Sequence, residues 1–524
     1  MSLVKSISQF AGLTMVSRVL GFCRDVLMAR YLGASLAADA FFVAFKLPNL
    51  FRRLFAEGAF NAAFVPLFAR ELKKDDDRPR HDQGSHAIRF AEESLGILVP
   101  FLLIFVAVMQ MAMPWVMYVL APGFADQPEK FALAIEFARS TFPYLLFISL
   151  VSLMAGVLNS MQRFAAAAAA PILLNLVLIG ALLTFHDTQM VAGQWLARAV
   201  SIAGLVQFIW LMIALRRAGV RLKLPRPRIT ERVKELGVIM LPAALGAGAV
   251  QLNLLVDIVL ASLLPDGSLS YLFYADRLNQ LPIGVIGVAV GTVLLPSLSR
   301  SLASGNEVQA ATEQNRALES AMFLTLPAAM ALIVVPLPLI STLFERGAFD
   351  AAATSNTAAA LTAYAFGLPA YILVKILTPA YFARKDTRTP VRFALIALAM
   401  NVVLNLILMR YFQHVGLAMA TAISAWANVF MLYIYLARRD QFRIERRVWG
   451  RLIRMLLAAG LMAGFCWWLA DGLGHWWTGD LTGRLQALSL MVGGGVLFYG
   501  ALSHVFGIVR FGQIRAFIRG RGNK

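Results

Sequence analysis

Residues 14–66 form an apolar stretch that nevertheless carries Arg18, Arg24, Asp25, Arg30, Asp39, Lys46, Arg52, Arg53 and Glu57. A charge near the centre of a bilayer costs about 2.5–3.5 kcal/mol on insertion scales, so intramembrane charges face a hydrated cavity or a partner rather than lipid. Read as two helices joined at Gly33, Ala34 and Ser35, the stretch puts Arg18 and Asp25 on one face and Ser17 and Arg24 on another. Asp39, Lys46 and Arg53 then form one stripe, continued by Glu57, with Arg52 turned about 100° away. Arg18 falls about 16 Å into a span beginning near residue 7, close to the midplane. Further along the chain, Asp276 and Arg277 repeat the acid–base combination.

These residue types suit a polyanion. Guanidinium groups offer forked donors that match phosphate oxygens and stay charged at every relevant pH. Arg18, Arg24, Arg52 and Arg277, a set with too few carboxylates for complete pairing, are the candidate binding groups. Asp25, Asp39, Glu57 and Asp276 are the candidate charge-pairing or gating groups, neutralising arginines in the empty site and exchanging partners when ligand arrives. The competing reading, which weighs most on Asp25, Lys46 and Arg53, is that these are ion pairs tying helices together. Arg30 reads as an interfacial anchor.

The elements that must hold such groups are membrane helices. The 524 residues are 59% hydrophobic and 15% charged, with a mean hydropathy of +0.69, which excludes a soluble globular protein. Apolar runs recur between residues 7 and 508 as about fourteen spans, so the expected fold is all-α and polytopic. Residues 36–69, 132–159 and 317–343 each read as one span, and 390–412 and 415–437 as two. Residues 1–18 read as part of the first span rather than as a removable signal.

The net charge of +19 is sided rather than a nucleic-acid signature. Basic residues crowd 70–89, 216–234, 384–392, 438–451 and 510–524, whereas the turns near Ala34, Asp187 and Asp266 have almost none. By the positive-inside rule the crowded face is cytoplasmic, with both termini there. Cys23 and Cys466 lie in apolar runs as small hydrophobes and imply no disulfide or thiol metal site. An internal repeat, offset by about 220–235 residues, places six spans in each copy. Copies with an even number of spans share an orientation and would be related by an axis along the membrane normal. The expected organisation is an N-terminal six-helix lobe (1–217), a basic cytoplasmic linker (218–229), a C-terminal six-helix lobe (230–439), and two additional C-terminal helices with a basic tail (440–524).

Two further constellations compete with bland readings. The acidic run 75–77 resembles the metal carboxylates of a glycosyltransferase but sits among Lys73, Lys74, Arg78 and Arg80 and reads as a solvated loop. Asp257, Asn401, Asn405 and Thr421 offer hard oxygen ligands to a sodium ion if the seventh, eleventh and twelfth spans meet. Interhelical hydrogen bonding is the alternative, favoured by the single carboxylate. A membrane enzyme would need a general base or metal near an accessible loop. The residues instead indicate a transporter with no cofactor beyond a coupling sodium ion or the membrane potential.

The runs SRVLGFCRDVLMARYLGA, ADAFFVAFKLPNLFRRLFAEGAFNAAFVP, FPYLLFISL, FYADRLNQLPIGVIGVAVGTVLLPSLS and ARKDTRTPV resemble the MurJ (MviN) family of bacterial lipid II flippases, within the multidrug/oligosaccharidyl-lipid/polysaccharide exporter superfamily. The resemblance runs in order along essentially the whole chain and is densest over 5–70 and 268–300. It implies two six-helix lobes, alternating access and an extra helix pair shaping a lipid-tail groove in the bacterial inner membrane. The implied cargo is lipid II, an undecaprenyl-pyrophosphate-linked muropeptide, moved to the periplasmic leaflet for peptidoglycan synthesis; membrane lipids and cell-wall synthesis proteins are the other implied partners. The family's cavity arginines correspond to Arg18, Arg24, Arg52 and Arg277, and its important acidic residue to Asp39. Asp39 is expected to pair with an arginine such as Arg24 when the periplasmic side is closed. The alternatives are a flippase for another polyprenyl-linked saccharide, a cation-coupled drug exporter, which the excess of arginine opposes, and an enzyme acting on a polyprenyl phosphate.

Overall fold

The computed structural model describes residues 3–53, 60–76, 85–477 and 479–508, and every regular element among them is helical. In chain order these are α1 (Leu3–Leu32), α2 (Leu36–Phe51), α3 (Asn61–Asp76), α4 (Ser85–Leu120), α5 (Pro128–Thr141), α6 (Tyr144–Ser160), α7 (Phe164–Thr184), α8 (Gln189–Arg217) and α9 (Glu231–Ser262). They continue as α10 (Ser268–Ala303), α11 (Glu307–Val334), α12 (Pro336–Phe344), α13 (Ala351–Ala383), α14 (Arg388–Arg438), α15 (Arg446–Gly472), α16 (Gly474–Trp477) and α17 (Leu481–Val505). Nine helical segments among the described residues are long and apolar enough to cross a membrane, with Arg388–Arg438 counting once. The charge-bearing α1 and the 16-residue α2 fall outside that set.

Proline has different effects at different positions. The expected single span 317–343 is broken at Val335-Pro336 between α11 and α12, where Val335 leaves the helical region at φ −122° and ψ 45°. The expected span 132–159 instead lies within one membrane-length segment, Pro128–Ser160, in which Phe142 and Pro143 keep helical angles between α5 and α6. Proline lacks an N–H and its ring collides with the carbonyl four residues back, whereas at a helix start the missing donor costs nothing. Pro336 is such a first residue. Pro48, Pro242, Pro282, Pro327 and Pro369 stay inside continuous helices. Of the expected span 36–69, α2 covers Leu36–Phe51 and α3 begins at Asn61, and residues 54–59 lie outside the described residues. The expected pair 390–412 and 415–437 appears as two arms of α14 meeting at Gln413, whose φ of 49° and ψ of −129° leave the helical region. Gly416 permits the tight turn, since a Cβ there would lie 2.4 Å from the Leu408 carbonyl oxygen.

The chain forms two compact units. The first comprises Met1–Ser270 with Arg346–Phe349. Within it α1 packs on α7, α7 on α8, α2 on α5 and α6 on α8. The α1–α2 turn is pinned at Gly33, in the left-handed region at φ +63°, where a Cβ would stand 2.2 Å from the Ala348 carbonyl oxygen. The Ala348 N–H donates to the Arg30 carbonyl at 2.8 Å. Left-handed backbone costs a residue with a Cβ about 1–2 kcal/mol even without a collision. Gly33→Ala is therefore expected to lower the thermal midpoint of the purified protein clearly, and Ala34→Gly to leave it nearly unchanged; equal midpoints for wild type and Gly33→Ala would show that this turn opens freely.

The non-helical connection from α8 to α9 is stapled to α4. The Lys223 N–H donates to Glu92 at 2.8 Å and the Thr230 hydroxyl to Glu93 at 2.8 Å. Arg70 of α3 forks onto Glu235 of α9 at 2.9 and 2.6 Å.

The second unit comprises Tyr271–Glu345 and Asp350–Lys524. Its core joins Leu318 and Met322 of α11, Ile376 of α13, Met455 and Met462 of α15, and Met491 of α17. Lipid tails are as apolar as these side chains, so close packing and interhelical hydrogen bonds hold such helices together. Accordingly, Tyr381 donates to the Leu432 carbonyl at 2.6 Å and Tyr499 to the Phe323 carbonyl at 3.0 Å. Cys466 is buried in this core and Cys23 is exposed on α1.

Candidate phosphate-binding site

On α1, Arg24 is 7% exposed and Asp25 2%. Arg24 folds back on its neighbour, donating to Asp25 Oδ1 from Nε at 3.1 Å and from Nη2 at 2.7 Å. Its third contact comes from α7, where Asn175 Oδ1 accepts from Nη1 at 3.0 Å. Asn175 Nδ2 in turn donates to the Ser17 carbonyl at 3.0 Å. The shared face of Ser17 and Arg24 is thus bridged by a single amide. Each hydrogen bond to a charged group contributes about 1.5–3 kcal/mol, and the set fixes the plane of the guanidinium. Sequence reasoning passed over Asn175 as a site residue; a lone amide in the apolar run 164–184 is the signal that points to it.

The other candidates of this unit are placed differently. Arg18 is exposed, about two turns before Arg24 on α1. Arg52, at the end of α2 and half-buried, donates from Nε to Asn49 Oδ1 at 3.2 Å. Arg53 is exposed, as its 100° offset from Arg52 predicts. Glu57 and Asp77 lie outside the described residues.

Asp39 does not meet Arg24. It sits in the first turn of α2, 1% exposed, and its ion-pair partner is Lys130 of α5, at 3.0 Å. Lys130 is itself 2% exposed; it also reaches Asp266 at 2.7 Å and lies 4.2 Å above the Phe124 ring. The remaining lone pairs of Asp39 accept from the Gly267 N–H at 2.8 Å, the Ser270 N–H at 3.0 Å and the Ser270 hydroxyl at 2.7 Å. The carboxylate therefore serves two helix N-termini, its own and that of α10, where a negative charge is favoured. Sequence reasoning passed over Lys130, although it is a basic residue on the face otherwise poor in them.

In the second unit, Asp276 accepts from the Gln280 amide one turn on. The half-buried Arg277 lies over the Phe273 ring at 4.6 Å. Asn401, Asn405 and Thr421 are brought together on the two arms of α14. Asn405 Nδ2 donates to Asn401 Oδ1 at 3.0 Å, and Asn401 Nδ2 to the Thr421 hydroxyl at 3.4 Å. That hydroxyl donates to the Leu417 carbonyl at 3.0 Å. These three neutral groups form a hydrogen-bonded chain between the two arms and by themselves bring no negative charge to a cation; Asp257 belongs to the first unit. No group of three or more His, Cys, Asp or Glu residues suited to a metal occurs among the described residues.

The fold is that of a polytopic helical membrane transporter. It matches a solved multidrug resistance MATE family transporter of the MOP superfamily, in an inward-facing conformation, with a TM-score of 0.67 at 16% identity over 83% of this chain and 98% of that one. A solved lipid II flippase MurJ, in an inward closed conformation, matches with a TM-score of 0.77 at 26% identity over 95% of this chain and 98% of that one. The family model described as lipid II flippase MurJ matches residues 28–485. A relative from Rhizobium meliloti (strain 1021), a probable lipid II flippase MurJ, is 43% identical over 99% of this chain and 97% of its own length. The chain belongs to the lipid II flippase MurJ family, whose members are transporters rather than enzymes.

Proposed function

We propose that this chain moves lipid II from the cytoplasmic to the periplasmic leaflet of the bacterial inner membrane, binding its pyrophosphate with Arg24 and the neighbouring arginines. The observation that carries this reading is the buried Arg24 guanidinium, held in plane by Asp25 and Asn175 within an apolar helix. A pyrophosphate headgroup cannot cross about 30 Å of hydrocarbon unaided. Forked donors near mid-membrane replace its water, and phosphate oxygens displace the Asp25 carboxylate from the same donors. The polyprenyl tail needs no such help, since lipid already solvates it. Transport then requires the arginines to open alternately to the two faces. The Asp39–Lys130 cluster suits a gating role, because a buried charge that loses its partner is costly and any opening there has to supply new partners.

Proteoliposomes carrying fluorescent lipid II in one leaflet test the reading. The protein is expected to equilibrate the label between leaflets, and sidedness indistinguishable from empty vesicles overturns it. Imposing a sodium gradient or a membrane potential in turn identifies the coupling by which of them accelerates the exchange.

The orientation of the chain follows from its basic loops. In a Cys23→Ser background, a cysteine replacing the exposed Arg226 is expected to resist an impermeant thiol reagent in intact cells and to react after lysis. Strong labelling of Arg226→Cys from outside would invert the topology.

A further inference from the structure

We propose that the first unit carries a second anion site, a cavity between α1, α7 and α8 that binds the phosphate headgroup of an anionic membrane phospholipid. The cavity has a volume of about 710 Å³ and is lined by Arg163 and Gln162 from the α6–α7 turn, Arg217 and Trp210 from α8, and Leu13 from α1. It is distinct from the Arg24 cluster and independent of the transport reading.

The charges at its mouth are unbalanced. Arg163 reaches the main-chain carbonyl of Arg217 from Nη1 at 3.5 Å, a long contact that leaves its other N–H groups for a ligand. Among the described residues neither Arg163 nor Arg217 forms an ion pair with a carboxylate. Two guanidinium groups on one cavity repel each other until an anion joins them, and their forked donors match phosphate oxygens. Arg163 is also the residue preceding α7 and gives that helix no side-chain cap. The first N–H groups of α7 therefore add to the same positive field. Trp210 crosses the cavity with its indole N–H on the Ala166 carbonyl at 3.1 Å. Such a ring, apolar in body and polar at its edge, suits the headgroup level of a bilayer.

The remaining wall separates a lipid from a free phosphate. It is apolar, with Leu13 and Ile213 among its residues, and it continues into the exposed Ile209 and Ile213 on α8 and Leu176 and Leu183 on α7. An acyl chain can follow that face into the membrane. The volume is also that of a site for a drug-sized molecule rather than for one small ion.

Trp210 supplies the readout. The full chain is reconstituted in phosphatidylcholine vesicles containing a minor fraction of chain-brominated phosphatidylglycerol or, separately, chain-brominated phosphatidylcholine. The Trp210 signal is the difference between the wild type and Trp210→Phe. Brominated phosphatidylglycerol is expected to quench it at least twofold more than brominated phosphatidylcholine. Arg163→Gln with Arg217→Gln should abolish that excess, and Arg217→Lys, which keeps the charge, should retain most of it. Equal quenching by the two lipids, or an excess that survives in the double variant, overturns the proposal. Inorganic phosphate is added against sodium chloride of the same ionic strength. Removal of the excess by phosphate alone would make the cavity a free-phosphate site and reject the lipid assignment.

Discussion

Arg24→Ala is expected to lower the rate of lipid II transport by at least about tenfold, because a contact with a charged group contributes about 1.5–3 kcal/mol and Arg24 offers several. The truncation also strands Asp25, which is 2% exposed, so a loss of stability has to be separated from a loss of binding. Arg24→Ala combined with Asp25→Ala removes both charges and should recover the thermal midpoint without recovering transport. Arg24→Lys should retain charge but lose the fork, giving partial activity. Asn175→Leu releases Nη1 and the Ser17 carbonyl but leaves Arg24 on Asp25, and should cost less transport than Arg24→Ala. Measured in the vesicle assay, full transport by a variant carrying both Arg24→Ala and Arg52→Ala would eliminate the arginines as the pyrophosphate site. Recovery of transport by the Arg24→Ala, Asp25→Ala pair would instead reduce Arg24 to a structural ion.

Asp39→Ala should be the most destabilising single change in the first unit. It leaves Lys130, 2% exposed, with Asp266 alone, and it strips the acceptor from the Gly267 and Ser270 N–H groups. Breaking a buried pair by removing one partner costs about 3–5 kcal/mol, much of it the uncompensated charge. Lys130→Met should cost less, since three donors still hold the Asp39 carboxylate. The two changes together should fall short of their sum by about 0.5–3 kcal/mol, as for residues in direct contact. Thermal midpoints of the four purified proteins give this cycle, and strictly additive shifts would mean that Asp39 and Lys130 do not depend on each other. Both single variants are expected to lose transport as well.

An all-helical membrane protein was legible from composition, because hydropathy is a local property and each apolar run prefers the bilayer whatever its neighbours do. The charged residues of α1 and α2 were legible for the same reason: in an apolar run a charge stands out as a cost that must be met. How each cost is met depended on the tertiary structure. Asp25 meets Arg24 beside it, yet the amide that completes the group comes from Asn175 on another helix. Asp39 finds Lys130, 91 residues away, rather than an arginine of its own stretch, and no periodicity in the sequence links the two. Proline shows the same limit. Val335-Pro336 ends a helix, while Pro143 keeps helical angles within Pro128–Ser160 and Pro369 sits inside the continuous α13. The sequence determined which segments are helical and which residues must find partners, since propensity and solvation act over a few residues. Only the tertiary structure decided the partners, because pairing depends on which helix faces pack together, and that choice is made by contacts between segments far apart in the chain.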